Sequence, residues 1–152
     1  MQLKRILVTV DFSKYDHPAV QMATSLARDN AAILLILHVH ESPMAYGGAV
    51  YQGDLNPSEQ KLRQMLTAIV PEDANVAYEH HFIQAEGTAP LADTDIARAI
   101  CRFAEQQQVD LIVTSTHGRS GLRRTFLGSV AEKIVARASR PVLTVKLPGQ
   151  PA

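Results

Sequence analysis

The fold of this chain is decided by residues 109–138, which read VDLIVTSTHGRSGLRRTFLGSVAEKIVARA. The apolar run 109–113 predicts a buried strand, and the end of the stretch has the apolar spacing of an amphipathic helix. The loop between them contains Gly118 and Gly128, and Ser129 places a hydroxyl at the start of the helix. A strand, a glycine loop and a helix N-terminus together gather backbone N–H groups. The stretch therefore predicts an anion site that suits the phosphates of a nucleotide.

Strand patterns and helix patterns alternate along the rest of the chain. Apolar runs predict buried strands at 6–10, 33–39, 111–114 and 141–145, and a more polar run predicts an edge strand at 75–84. Helical spacing predicts helices at about 15–28, 57–69, 96–103 and 130–138. This alternation predicts an α/β, single-domain, three-layer, Rossmann-like fold with a five-stranded parallel sheet and helices on both faces. We expect the domain to span residues 1–147, followed by a short tail at 148–152.

Two helices carry more detailed predictions. In the second helix, Asn56 is expected at the N-cap, Pro57 at the first helical position and Glu59 at the third. Its expected inward residues are Leu62, Met65, Leu66 and Ile69. Those of the fourth helix are Ala131, Ile134, Val135 and Ala138.

Composition limits the partners and the compartment. The chain has 152 residues, and its 15 basic and 15 acidic residues give a formal net charge of zero, which argues against nucleic acid as a partner. Its apolar runs are too short for a membrane span, and its first residues lack the pattern of a secretory signal, so we expect no membrane partner. The single Cys101 suits a reducing cytoplasm.

The sequence contains no established catalytic or metal-binding motif. The P-loop, dinucleotide and nucleophile-elbow spacings are missing, so no catalytic residue is assigned and at most slow hydrolysis of a bound nucleotide is expected. His38 and His40 share one face of a strand, but no third ligand is placed beside them, so no metal site is assigned.

Several segments resemble the universal stress proteins of the UspA family. They are residues 8–13 (VTVDFS), 37–39 (LHV), 116–118 (THG) and 142–145 (VLTV). The family's nucleotide-binding branch has the signature Gly-x-x-Gly-x9-Gly-Ser/Thr, and Gly118, the nine-residue spacer and Gly128-Ser129 match its later part. Ser115 stands where the signature has its first glycine. If that position needs a positive φ, serine strains the loop by about 1–3 kcal/mol, and otherwise the exchange is mild.

The resemblance implies an adenosine pocket and a phosphate site. Asp11 would lie near adenine and ribose, with the backbone of Thr9 and Val10 beside the base, and Val39 would offer backbone groups to adenine. The residues implied along the ribose and phosphates are Thr114, Ser115, Gly118 and Arg119. Those implied at the phosphates are Gly128, Ser129 and Val130. The alternative is that the glycines only mark turns and that Asp11 only caps the turn into the first helix.

The resemblance also implies a function and an assembly. We expect a stress-response sensor or regulatory module that binds ATP, ADP or AMP, alone or with Mg²⁺. The alternatives are a dimeric interaction protein that has lost nucleotide binding, and a slow ATPase. A homodimer is expected through the last strand, residues 142–147, which begin with Val142 and end with Leu147. The loop 41–55 either covers the site or binds a partner.

Overall fold

The computed structural model describes residues 1–40, 57–85, 93–117 and 127–147. Five of the predictions fall outside the described residues. They concern Asn56, Gly118, Arg119, the loop 41–55 and the tail 148–152.

Strands and helices alternate through the described part of the chain, as the sequence predicts. The strands are β1 (Arg5–Thr9), β2 (Ile33–His40), β3 (Tyr78–Gln84), β4 (Leu111–Ser115) and β5 (Val142–Val145). The helices are α1 (Asp16–Asn30), α2 (Glu59–Thr67), α3 (Asp93–Gln106) and α4 (Ser129–Arg137). No helix in these described ranges is both long and apolar enough to cross a membrane.

The five strands form one parallel sheet in the order β3-β2-β1-β4-β5. Successive strand residues face opposite sides, and each side is covered by helices. Ile6 and Val8 pack with Ala19 and Ala23 of α1, and α2 contributes to the same cluster. The other face packs against α3 and α4. The predicted three-layer arrangement and the edge position of β3 are therefore confirmed.

The strand order creates a topological switch point between β1 and β4 at the carboxyl edge of the sheet, and we call this region the cleft. The chain leaves β1 toward β2 and β3 on one side, whereas β4 and β5 lie on the other side of β1. The connections that follow β1 and β4 therefore diverge at the carboxyl ends of these two neighbouring strands. Open α/β sheets bind ligands at such a switch point.

The N-cap of α2 differs from its prediction. The helix begins at Glu59, and Ser58 is its cap, with its Oγ accepting the N–H of Lys61 at 3.2 Å. Ser58 has extended backbone geometry (φ −61°, ψ 155°), which turns its hydroxyl back toward the first turn. Asn56 lies outside the described residues, and the N-cap predicted there is Ser58 instead.

Val135 was expected in the core but is 48% exposed. The buried residues of α4 are Ala131 and Ile134, and Ala138 packs against the same cluster. A step of one residue turns a helix by about 100°. Val135 is therefore rotated away from the buried face that contains Ile134. The prediction that Val135 faces inward was wrong.

Candidate functional site

The floor of the cleft is a pair of threonines at the ends of β1 and β4. The Oγ1 of Thr9 donates to the Oγ1 of Thr114 at 2.9 Å, and Thr114 is buried. This bond joins the two strands and satisfies polar groups that would otherwise be buried alone. The structure thus brings together two residues that were predicted from different segments of the sequence.

The loop that follows β1 folds around the carboxyl group of Asp16. The Oδ1 of Asp16 accepts the N–H of Asp11 at 3.1 Å, and its Oδ2 accepts the N–H of Phe12 at 2.6 Å. Phe12 has a φ of 64°, which is rare for a bulky residue. The two bonds compensate for this backbone strain, so Asp16 determines the path of the loop.

Asp11 makes a local turn within this loop. Its Oδ1 accepts the N–H of Ser13 at 3.0 Å. This is the side-chain-to-backbone bond of an Asx turn. The local structural role anticipated for Asp11 is therefore present, and it is compatible with a second role toward a ligand.

The carboxyl group of Asp16 is in an unusual electrostatic environment. Its residue is only 6% exposed. Burial and the neighbouring charge of Asp11 raise the pKa of Asp16 to about 8, although the two backbone N–H groups oppose that shift. Asp16 therefore carries its proton well above the pH at which an ordinary carboxyl group loses it.

His38 fixes the end of β1 from the neighbouring strand. Its Nδ1 lies 3.0 Å from the carbonyl oxygen of Val10, and because a carbonyl only accepts, the hydrogen is on Nδ1. The imidazole also packs on the ring of Phe12, with 4.4 Å between centroids. His38 is thus a structural support of the cleft, and its Nδ1 is not available for a metal.

Val39 presents its backbone to the cleft. The N–H of Ile33 donates to Lys4 and the N–H of Val10 donates to Leu37, so alternate residues of β2 direct their backbone groups toward β1. Val39 continues this alternation, but β1 has already ended at Thr9. Its N–H and C=O therefore face the side on which the loop after β1 begins.

The loop that follows β4 is tied by its own side chains. The Oγ of Ser115 donates to the carbonyl of His117 at 2.9 Å, and the Oγ1 of Thr116 lies 2.9 Å from the Nδ1 of His117. The ring of His117 lies 5.6 Å from that of Tyr15, between centroids. The loops after β1 and β4 therefore touch across the cleft.

Ser115 does not strain the backbone. Among the described non-glycine residues, positive φ angles occur at Phe12, Ala31 and Gln108. Ser115 belongs to β4 and has ordinary strand geometry. The structure therefore supports the alternative in which serine replaces the signature glycine without straining the loop.

The N-terminus of α4 has no side-chain cap. Gly128 is the N-cap residue, with φ −65° and ψ 157°, and its C=O accepts the N–H of Glu132 at 2.9 Å. The N–H groups of residues 129–131 have no acceptor within the helix, as in any helix. The N–H of Gly128 itself donates to the carbonyl of Thr116. The N–H of Gly128 is therefore already used, and the N–H groups without an acceptor in the helix are those of the next residues.

The described residues contain no cluster of three or more His, Cys, Asp or Glu side chains that could hold a metal ion.

Of the predicted site residues, the structure places Thr9, Val10 and Asp11 at the end of β1 and Val39 near the end of β2. Thr114 and Ser115 end β4, and Gly128, Ser129 and Val130 begin α4.

These features define an α/β protein with a Rossmann-like sheet and a polar cleft at its switch point. Residues 2–146 match the model of the universal stress protein family, and the chain belongs to that family. Universal stress protein MJ0531 of Methanocaldococcus jannaschii is 30% identical over 151 residues, which cover 95% of this chain and 83% of the relative. Universal stress protein A homolog 1 of Coxiella burnetii is also 30% identical, over 95% of this chain and 97% of the relative.

Solved structures share the fold at lower identity. A universal stress protein in complex with cAMP has a TM-score of 0.66 and 22% identity, covering 96% of this chain and 98% of that one. The universal stress protein from Archaeoglobus fulgidus in complex with dAMP has a TM-score of 0.63 and 23% identity, covering 96% and 100%.

Proposed function

We propose that this universal stress protein binds an adenine nucleotide in the cleft between β1 and β4. The observation that carries the proposal is the N-terminus of α4, which lacks a side-chain cap and follows the loop from β4 at the switch point. The cAMP and dAMP complexes of two proteins with the same fold support adenine as the base.

The adenosine end of the nucleotide is proposed to lie against β1 and β2. The backbone of Val39 points to that side and can pair with the polar edge of adenine, with the backbone of Thr9 and Val10 beside the base. The carboxyl group of Asp11 is proposed to accept hydrogen bonds from ribose hydroxyls, because a carboxylate accepts several bonds at once.

The phosphate end is proposed to lie at α4. The N–H groups of Ser129 and Val130 and the exposed hydroxyl of Ser129 are donors there, and the helix dipole favours negative charge. Thr114 and Ser115 would flank the path between ribose and phosphates. Gly118 and Arg119 keep their proposed roles on the strength of the sequence signature.

The biological role proposed is that of a stress-response sensor or regulatory module in the cytoplasm. The bound form is ATP, ADP or AMP, and Mg²⁺ would accompany a triphosphate. Any ATP hydrolysis is proposed to be slow, because the sequence offers no evident base to orient water. A homodimer is proposed as the assembled form.

A proline substitution tests the phosphate site without breaking the helix. Ser129→Pro removes the first N–H of α4, and proline is tolerated at this position because the preceding Gly128 has ψ 157°. We expect ATP affinity to fall by at least about tenfold in isothermal titration calorimetry, since a charge-assisted bond is lost. Ser129→Ala, which keeps the N–H, should have a smaller effect.

The matched control is Glu59→Pro, at the first position of α2, whose N-cap Ser58 has nearly the same backbone angles. This variant should bind ATP as the wild type does. If the Ser129→Pro variant and the wild type bind ATP equally well, the N-terminus of α4 does not bind the phosphates. If the wild type binds no adenine nucleotide, and none is found by mass spectrometry of the denatured purified protein, the alternative of an interaction protein is favoured.

A further inference from the structure

Asp16 is a buried carboxyl group that the predicted nucleotide signature does not include. Both of its oxygens accept backbone N–H groups of the preceding loop, from Asp11 at 3.1 Å and Phe12 at 2.6 Å. Successive N–H groups of a loop with a left-handed residue form a concavity that binds anions. In this chain the protein's own side chain occupies that concavity.

The two bonds determine where the side chain of Asp11 projects. Phe12 has a φ of 64°, and without a carboxyl group on the N–H of Phe12 this bulky residue would favour another backbone conformation. A change in the backbone conformation of Phe12 would rotate the peptide that joins it to Asp11. The position of Asp11 in the cleft therefore depends on Asp16.

Asp16 also contacts Asp11 through its side chain. Besides burial, Asp11 raises the pKa of Asp16 through its charge and through a hydrogen bond between the side chains, because two ionised carboxylates this close repel each other. One proton held between them replaces that repulsion with a bond. Burial and the charge of Asp11 raise the pKa of Asp16 to about 8, so the pair retains this proton at neutral pH.

Other titratable groups surround the loop, and each has a partner elsewhere. From β2, His38 donates to the carbonyl of Val10, and from the end of β4, the ring of His117 lies on that of Tyr15. The Nζ of Lys14 lies 5.3 Å from the ring centre of Tyr15, and the Nε2 of His17 lies 3.8 Å from Glu72. The charge that raises the pKa of Asp16 is that of Asp11.

We propose that Asp16 is a positioning residue of the nucleotide cleft, which holds the backbone and the carboxyl group of Asp11 in the geometry that meets the nucleotide. This inference rests on the proposed function. It follows that loss of the shared proton puts two negative charges side by side in the loop and weakens nucleotide binding. Affinity for ATP is therefore expected to fall as the pH rises through about 8.

Calorimetric titration with ATP between about pH 7 and about pH 9.5 tests this role, because ATP itself changes little in charge over that range. The wild type is expected to lose at least about tenfold in affinity from the lower to the higher pH. Asp16→Asn keeps an oxygen acceptor and cannot ionise, so its profile should be flat. Asp16→Ala removes all the bonds, so at pH 7 it should bind ATP at least about tenfold more weakly than the wild type, with a flat pH profile, while remaining folded by circular dichroism.

Asp29→Asn is the matched control, because Asp29 is an exposed aspartate of the same helix that pairs with Arg28. It should reproduce the wild-type profile. Carboxyl ¹³C NMR without nucleotide gives an independent measurement: Asp16 should titrate near pH 8, and Asp11→Asn should lower that midpoint.

The possible failures are distinguishable. If the wild type binds ATP and the Asp16 variants match its affinity and profile, the positioning role is wrong and the proposed function stands. If the wild type binds no ATP at any pH, both are wrong, and the NMR titration still decides whether the two carboxyl groups share a proton. An Asp16 midpoint near 4 would overturn the shared proton.

Discussion

Ser115 shows how a single residue can replace a signature glycine without changing the backbone. Its Oγ donates to the carbonyl of His117, so the hydroxyl is directed into its own loop. Its backbone is that of strand β4, which any residue can adopt. The family's glycine at this position therefore need not reflect a positive φ, and the serine side chain supports the turn.

We predict that Ser115→Ala lowers the free energy of unfolding by about 1 kcal/mol, because the His117 carbonyl loses its donor. Ser115→Gly should lower the free energy of unfolding by about 1 kcal/mol more than Ser115→Ala does, because glycine loses more backbone entropy on folding. ATP affinity should change by less than about threefold in either variant, since the hydroxyl is already bonded within its own loop. Urea denaturation and calorimetry measure the two effects. An increase of tenfold or more in the affinity of Ser115→Gly would show that the Cβ obstructs the site.

Sequence reasoning reached some residues of the cleft and missed others for a physical reason. Gly128 and Ser129 could be predicted because their spacing from Gly118 is a one-dimensional pattern. The role of Asp16 could not, since its partners are the backbone N–H groups of Asp11 and Phe12. Those groups converge only after the loop has adopted a left-handed residue. The five-residue spacing from Asp11 to Asp16 was the available signal.

At the scale of elements, Asp110 joins the start of β4 to the start of β1. Its Oδ2 accepts the N–H of Lys4 at 2.7 Å and that of Arg5 at 2.9 Å, and its own N–H donates to the carbonyl of Arg5 at 2.8 Å. The two N–H groups favour the charged form and lower the pKa of Asp110 below its ordinary 3.8.

We predict that Asp110→Asn lowers the free energy of unfolding at pH 7 by about 1 kcal/mol, a low value because the carboxylate is largely in contact with water. A carboxyl group with a lowered pKa stabilises the fold above its unfolded pKa, so the difference from the wild type should shrink and vanish as the pH falls through the lowered pKa of Asp110. Urea denaturation at a series of pH values measures it. Asp29→Asn, which breaks only a surface pair, is the control, and a difference that persists at low pH would contradict the prediction.

The elements themselves could be predicted to different degrees. The central strands were clear from sequence because both faces of the sheet are buried, so β1 and β2 are almost continuously apolar. Helix starts were less certain, since Asn56 and Ser58 are both good caps and only the path of the chain selects Ser58. The prediction that Val135 is buried was wrong, because an apolar residue on a helix need not face the sheet.

At the scale of the whole molecule, β5 leaves one side of the sheet open to another chain. In the part of the chain that the structure describes, β5 pairs with β4 alone. The carbonyls of Pro141 and Val145 accept N–H groups of β4 and of the residue that follows it, so the alternate residues, among them Thr144, direct their N–H and C=O groups outward. An edge of this kind supports the proposed homodimer by antiparallel pairing across a two-fold axis.

Thr144→Pro tests that pairing, because it removes an outward N–H while the bonds of β5 to β4 come from the other residues. We predict that the wild type sediments as a dimer at micromolar concentration and that Thr144→Pro sediments as a monomer. Thr144→Val keeps the N–H and the β-branched shape, so it should remain a dimer. Circular dichroism separates loss of pairing from loss of fold. A monomeric wild type, or a dimeric proline variant, would place the subunit contact away from β5 or remove it altogether.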